Sequence, residues 1–138
     1  MLRYPALFSP DGDGYLVTFR DIPEAIRAGS TKDEARSMSA DALLSAMDFY
    51  FEDRRVAPPP SEPKKGEELV ALPASASAKV LLLNAMIDQK VMASELARRL
   101  DTRPQDVNRI VDLNHATKID TIAEALEALG THWEVSVK

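Results

Sequence analysis

Apolar and polar positions alternate through most of the first twenty residues. In residues 2–8 (Leu-Arg-Tyr-Pro-Ala-Leu-Phe) the alternation puts Leu2, Tyr4, Ala6 and Phe8 on one side, and in residues 15–19 it puts Tyr15, Val17 and Phe19 on one side. A period of two predicts half-buried strands. The intervening Ser9-Pro10-Asp11-Gly12-Asp13-Gly14 is dense in turn formers, which makes the pair a hairpin. Pro5 has no N–H to give to a ladder, so the first strand is expected at an edge. Residues 25–29 could add a short third strand. The period then lengthens. Thr31 and Glu34 have capping-box spacing, and a helix of about 22 residues is expected to follow. Its stripe is Ala35, Met38, Ala42, Ala46 and Phe49, flanked by Leu43, Met47 and Tyr50, with Arg54 and Arg55 suiting its negative end. Residues 67–72, stopped by Pro73, read as a fourth strand. The first half is thus a β-β-β-α-β layer.

The second half has helical spacing. Residues 74–89 predict a helix with Val80, Leu81, Leu83, Asn84 and Ile87 on or near one side. Residues 93–100 predict a short helix using Leu96, Ala97 and Leu100, and residues 104–113 another with Val107, Ile110 and Val111 turned inward. A last helix over 119–129 buries Ile119, Ile122, Ala123, Leu126 and Leu129, with Gly130 as its C-cap. Trp133, Val135 and Val137 alternate, predicting a terminal strand.

Between the halves, residues 57–66 hold four of the nine prolines. No helix or central strand runs through such a stretch. It reads as an extended connector within a domain spanning 1–73, ahead of a second domain spanning 74–138. The class is α+β, and 138 residues suit one ordinary domain or two small ones. The net charge of -5 excludes a uniformly basic nucleic-acid binder. A local basic face is still compatible, because binding responds to the local field. Having no cysteine excludes disulfides and zinc-thiolate sites and fits a reducing cytosol. The only histidines, His115 and His132, do not stand at metal-ligand spacing, and no cofactor is implied. No run of about 18 apolar residues is present, and no signal peptide is evident at the N-terminus.

The chemistry concentrates in residues 94–110. Ala97 is small where a second helix must cross, a short turn (Asp101-Thr102-Arg103) follows, and the next helix offers Gln105, Asp106, Asn108 and Arg109 outward. That is helix-turn-helix geometry. Arg reads guanine, and Gln or Asn reads adenine, from the major groove. Arg98, Arg99, Arg103 and Lys118 are candidate phosphate partners. Thr102 and Gln105 could alternatively form a capping box.

Residues 76–130 resemble the repressor-like (Xre or Cro type) helix-turn-helix family, through Glu95-Leu96-Ala97, Leu100, Val107-Asn108-Arg109-Ile110 and the run from Thr121-Ile122 to Ala128-Leu129-Gly130. The family pattern implies base-reading positions at Gln105 and Arg109, with Arg103 and Asn108 flanking the groove. Two positions depart from it: Asp101 stands where glycine is usual, and Ala93 where a phosphate-contacting Gln is common. The whole chain resembles HicB-type antitoxins. The matching residues are Tyr4-Pro5-Ala6, Asp11-Gly12-Asp13-Gly14-Tyr15, Phe19-Arg20-Asp21-Ile22-Pro23-Glu24, Thr31 to Glu34 and the Pro-rich connector. That resemblance implies an N-terminal partial RNase H-like domain that binds and blocks a small basic mRNA-cleaving HicA-type toxin. It also implies a C-terminal domain that represses its own operon, a homo-oligomer, and no catalysis. Exposed residues such as Tyr4, Arg20, Asp21 and Glu24 are the expected toxin contacts.

Asp11, Asp13 and Asp21 invite a two-metal nuclease reading, but Asp-Gly-Asp-Gly is turn chemistry. The alternative function is a ligand-responsive helix-turn-helix regulator with no toxin partner. The terminal strand lacks a sheet in its own domain, so Trp133, Val135 and Val137 are expected to pair with a second copy. Residues 90–118 carry six basic and four acidic side chains, a mildly basic island in an acidic chain. DNA affinity is therefore expected to need two copies.

Overall fold

Strand β1 (Arg3–Asp11) turns through Gly12 and Asp13 into β2 (Gly14–Thr18), with Asp11 opposite Gly14. Gly12 has φ +58°, and a positive φ at the first of two turn residues alone is the type II′ pattern. Strand β3 (Ile26–Gly29) pairs with β2, and β4 (Glu68–Ala71) pairs with the start of β1, all antiparallel, in the order β3-β2-β1-β4. Strand β1 is therefore interior rather than an edge. Pro5 is tolerated because β1 pairs with β4 over Arg3–Ala6 and with β2 only from Leu7 onward, so the strand is single-sided at the proline.

One face of the sheet buries Tyr4, Ala6, Phe8, Val17 and Val70. The helix α1 (Lys32–Asp53) starts where the backbone N–H of Glu34 donates to the Thr31 hydroxyl at 3.1 Å, the forward half of the expected box. Its buried stripe is Ala35, Ser39, Ala42, Leu43, Ala46, Met47 and Tyr50. The expected stripe was centred a little off this line, for Phe49 is half exposed and Tyr50 is buried with its hydroxyl on Glu24. Gly29 is required at its position, because a Cβ there would stand 2.6 Å from the Ala35 nitrogen.

The second half is helical: α2 (Ala74–Gln89), α3 (Ala93–Arg99), α4 (Pro104–Ile110) and α5 (Ile119–Ala128). Its core gathers Leu82, Met86, Val91, Leu96, Ala97, Val107, Ile110, Ile122 and Leu126. On α2 the core side is set by Leu82 and Met86, while Leu81 is 47 % exposed, contrary to its expected burial. Residues 131–138 form no strand in the single chain. The strand expected here was one paired with a second copy, and this unit contains no sheet of its own to supply that partner. Trp133 packs against the helical core, whereas Val135 and Val137 are 79 % and 96 % exposed.

This computed structural model describes residues 1–138, and the chain falls into two compact units. The first is Met1–Tyr50 with Ala57–Ala74, and the second is Phe51–Val56 with Ser75–Lys138. No helix is long and apolar enough to cross a membrane.

Candidate functional site

In the first unit, the residues expected to contact a partner are mostly engaged with the chain itself. Tyr4 is fully buried and its hydroxyl donates to the Pro58 carbonyl at 2.8 Å, so it leaves the set of surface contacts. Burial, then the charge of Asp21 and the neighbouring Tyr50, push its pKa up to about 12. The Arg20 guanidinium grips Glu67 at 2.9 and 3.0 Å and donates to the Glu62 carbonyl at 2.6 Å. Glu67 is held below the usual carboxylate range, chiefly by that Arg20 bond. Asp21 accepts from the Ser61 N–H at 2.8 Å and the Ser61 hydroxyl at 2.6 Å. Glu24 accepts from the Tyr50 hydroxyl. The Pro-rich connector is thus fastened to the loop after β2. Partners some 40 to 47 residues apart leave no local signal in the sequence. Asp11 and Asp13 sit at the hairpin turn, and no three acidic or histidine side chains converge anywhere in the chain.

In the second unit, α3 ends in a Schellman motif. The Asp101 N–H donates to the Arg98 carbonyl and the Thr102 N–H to the Ala97 carbonyl, and Asp101 takes φ 55°. Aspartate enters the left-handed region more readily than most residues, which accommodates its place where glycine is usual. Pro104 opens α4, where its missing N–H loses nothing. The cap of α4 comes from Asp106, so the proposed pairing of Thr102 with Gln105 gives way to Thr102 with Asp106. The Asp106 carboxylate accepts from the Thr102 hydroxyl at 2.5 Å, the Arg103 N–H at 3.3 Å and the Arg103 guanidinium at 3.3 and 3.4 Å. It also accepts from Arg109 at 3.2 Å. The Thr102 bond first, then those from Arg103, hold its pKa at about 2.

The Gln105 and Asn108 side chains are exposed on α4 and make no hydrogen bond within the chain. Arg98 and Arg99 both bond Glu95 on α3, which lowers the pKa of that carboxyl to about 2, and Lys118 is exposed just before α5. The structure therefore brings Gln105, Asp106, Asn108 and Arg109 onto one short helix with Arg103 at its N-cap, and Arg98 and Arg99 on the helix before it. Beside them is a shallow cleft of about 420 Å³ lined in part by Thr102, Asp106, Arg109, His115 and Thr121.

One residue of this unit escaped the sequence reading. Lys79 on α2 is 2 % exposed, and its ammonium donates to the carbonyls of Asp112 at 2.7 Å and His115 at 2.5 Å, with Arg109 at 3.5 Å. Burial pushes its pKa down, while the Asp112 charge pulls it up. It holds the C-terminal end of α4 and the loop after it. By contrast, the holding roles of Glu95 and Asp106 were readable from their three- and four-residue spacing to arginines.

Residues 3–81 match the family model described as HicB_like antitoxin of bacterial toxin-antitoxin system. "Antitoxin HicB 2" of Photorhabdus laumondii subsp. laumondii is 57 % identical over 134 residues, covering 97 % of this chain and 95 % of the relative. The chain belongs to the HicB-like antitoxin family. "Antitoxin HicB" of Escherichia coli (strain K12) is 45 % identical over 130 residues, 94 % of each chain, and that of Pseudomonas fluorescens (strain Pf0-1) is 37 % identical over 119 residues, 86 % and 82 % respectively. The HicB-like segment covers the sheet, α1, the fastened connector and the first half of α2. The Photorhabdus laumondii and Escherichia coli relatives extend the likeness through α3, α4 and α5.

Proposed function

We propose that this HicB-like chain is a non-catalytic antitoxin and autorepressor. Its first unit, read as a partial RNase H-like domain, binds a small basic HicA-type toxin that cleaves mRNA, and occludes the toxin's active site. Its second unit, read as a repressor-like helix-turn-helix, binds operator DNA in two copies. The observation that carries the antitoxin role is the likeness to relatives named antitoxin HicB over nearly the whole chain. The meander β1-β2-β3 followed by α1 and a strand beside β1 supports the domain reading. Acidic residues exceed basic ones in both halves of the sequence, which favours steering toward a basic partner. With Tyr4 buried, the contact set reduces to Arg20, Asp21 and Glu24, of which Arg20 and Asp21 also anchor the connector and so couple a docked toxin to it.

On α4, Gln105 and Arg109 read base edges and Asn108 flanks them, while Arg103, Arg98, Arg99 and Lys118 meet phosphates. Asp106 shares that face. The exposure of the α4 donors after a tight turn supports this assignment. Coexpression with the adjacent short reading frame tests the toxin arm: a stable complex with a small basic protein is expected, and absence of any such frame or complex counts against it. For the DNA arm, Arg109→Ala is expected to lose about 1–3 kcal/mol on the chain's own promoter and relax sequence preference. Arg103→Ala should weaken all duplexes alike and flatten the salt slope. Variants that bind like the parent would remove α4 from the interface.

A further inference from the structure

Asp106 carries a negative charge on the helix proposed to enter a groove lined by phosphates. Its carboxylate is also the most heavily bonded group on that surface, accepting from Thr102, the Arg103 N–H and the guanidinium groups of Arg103 and Arg109. Those arginines lie three residues before and three after it, so one carboxylate braces both. The Gln105 and Asn108 side chains on the same helix are free of internal bonds. The helix therefore carries two kinds of donor, one braced and one unbraced. A braced guanidinium keeps its charge and loses rotamer freedom, so its planar fork points in few directions. Base edges demand a fixed fork, whereas phosphates accept a cation from almost any angle.

We propose that Asp106 is a positioning residue that sets the sequence discrimination of α4, by fixing the fork of Arg109 for a base edge and by opposing the transfer of Arg109 to arbitrary phosphates. An arginine drawn away to a phosphate leaves the Asp106 carboxylate unpaired beside a polyanion. On random DNA that repulsion works against binding. On the operator, an arginine already aligned with a base edge keeps its brace and binds without reordering. The inference rests on the reading of α4 as the DNA-contacting helix.

The test uses the full-length chain, a duplex from the promoter of its own gene and a random-sequence duplex of the same length, titrated at several salt concentrations. Asp106→Asn retains an oxygen for the Thr102 hydroxyl and the Arg103 N–H and loses the charge. It is expected to bind the random duplex about tenfold tighter with a salt slope steeper by about one. The promoter, where Arg109 keeps its base edge, should gain much less, so the preference between the two falls severalfold. Asp106→Glu keeps the charge and should recover most of that preference, which a purely structural cap would not require. Thermal melting of each variant confirms that it is folded. Equal shifts on both duplexes for Asp106→Asn, or a Glu variant no more selective than the Asn variant, overturn the role of Asp106 alone. Failure of the unaltered chain to bind either duplex removes the DNA-binding reading and this proposal with it.

Discussion

A lysine at 2 % exposure is unusual enough to need a reason, and Lys79 has one in the carbonyls of Asp112 and His115. Both carbonyls follow the end of α4, and each has one other donor, the His115 N–H on Asp112 at 3.1 Å and the Thr117 hydroxyl on His115 at 3.4 Å. Lys79→Met would keep the length and apolar stem and remove the shorter, charged bond to each. Hydrogen bonds to a charged group contribute about 1.5–3 kcal/mol, so a loss of about 2–3 kcal/mol in the second unit is expected by urea denaturation, and an unshifted midpoint would speak against the clamp. The sequence could not show this, since a lysine among Ala78 and Val80 reads as a solvated stem. Tyr4 was misleading for the opposite reason. Its place in the alternation correctly put it on the core side, yet an aromatic with a hydroxyl also fits a binding surface. Its folded pKa of about 12 lies above the ordinary 10.0. The stability this contributes is complete below pH 10 and is lost as pH rises toward 12, amounting to about 2–3 kcal/mol. Tyr4→Phe should flatten that alkaline loss in melts of the first unit while costing about 1 kcal/mol near neutrality for the Pro58 bond.

Three helices of the second unit end in the same motif with different residues at the left-handed position. Gly130 closes α5 at φ +76°, Lys90 closes α2 at φ 57° and Asp101 closes α3 at φ 55°. Only the glycine was legible as a stop, because the other two occupy a region that side chains enter at a cost. Lys90→Gly is therefore expected to stabilise by about 1 kcal/mol, and Asp101→Gly by less, since aspartate tolerates this region better. Calorimetric melting points should rise in that order. A fall at Lys90 would mean that its side chain makes a contact outweighing the strain. Element positions were otherwise well marked, since period, caps and prolines acted together around the hairpin, α1 and α4. What periodicity could not fix was rotation about a helix axis. The run Val80-Leu81-Leu82-Leu83 is apolar all round, so any of its members could face inward, and Leu81 turned out.

At the scale of the molecule, the short basic helix pair sits in a chain of net charge -5, and each such module offers few cations to a duplex. Salt-dependent affinity scales with the number of phosphates neutralised, so two linked copies should bind far better than one. The tail after α5 is the part left without a partner: Val135 and Val137 are exposed while Trp133 belongs to its own core. The structure thereby sharpens how a second copy should be sought. Removing residues 131–138 would also strip Trp133 from the core, confusing lost association with lost stability. Val135→Glu combined with Val137→Glu leaves that core intact and places like charges opposite one another in any strand paired across a two-fold axis. The double variant is expected to melt like the parent, to run as a monomer by light scattering with the parent expected to run as at least a dimer, and to bind its promoter at least tenfold more weakly. A variant that keeps the parent's mass would show that the copies meet elsewhere. One that becomes monomeric yet binds its promoter undiminished would show that a single α4 suffices, against the expectation drawn from its weak charge.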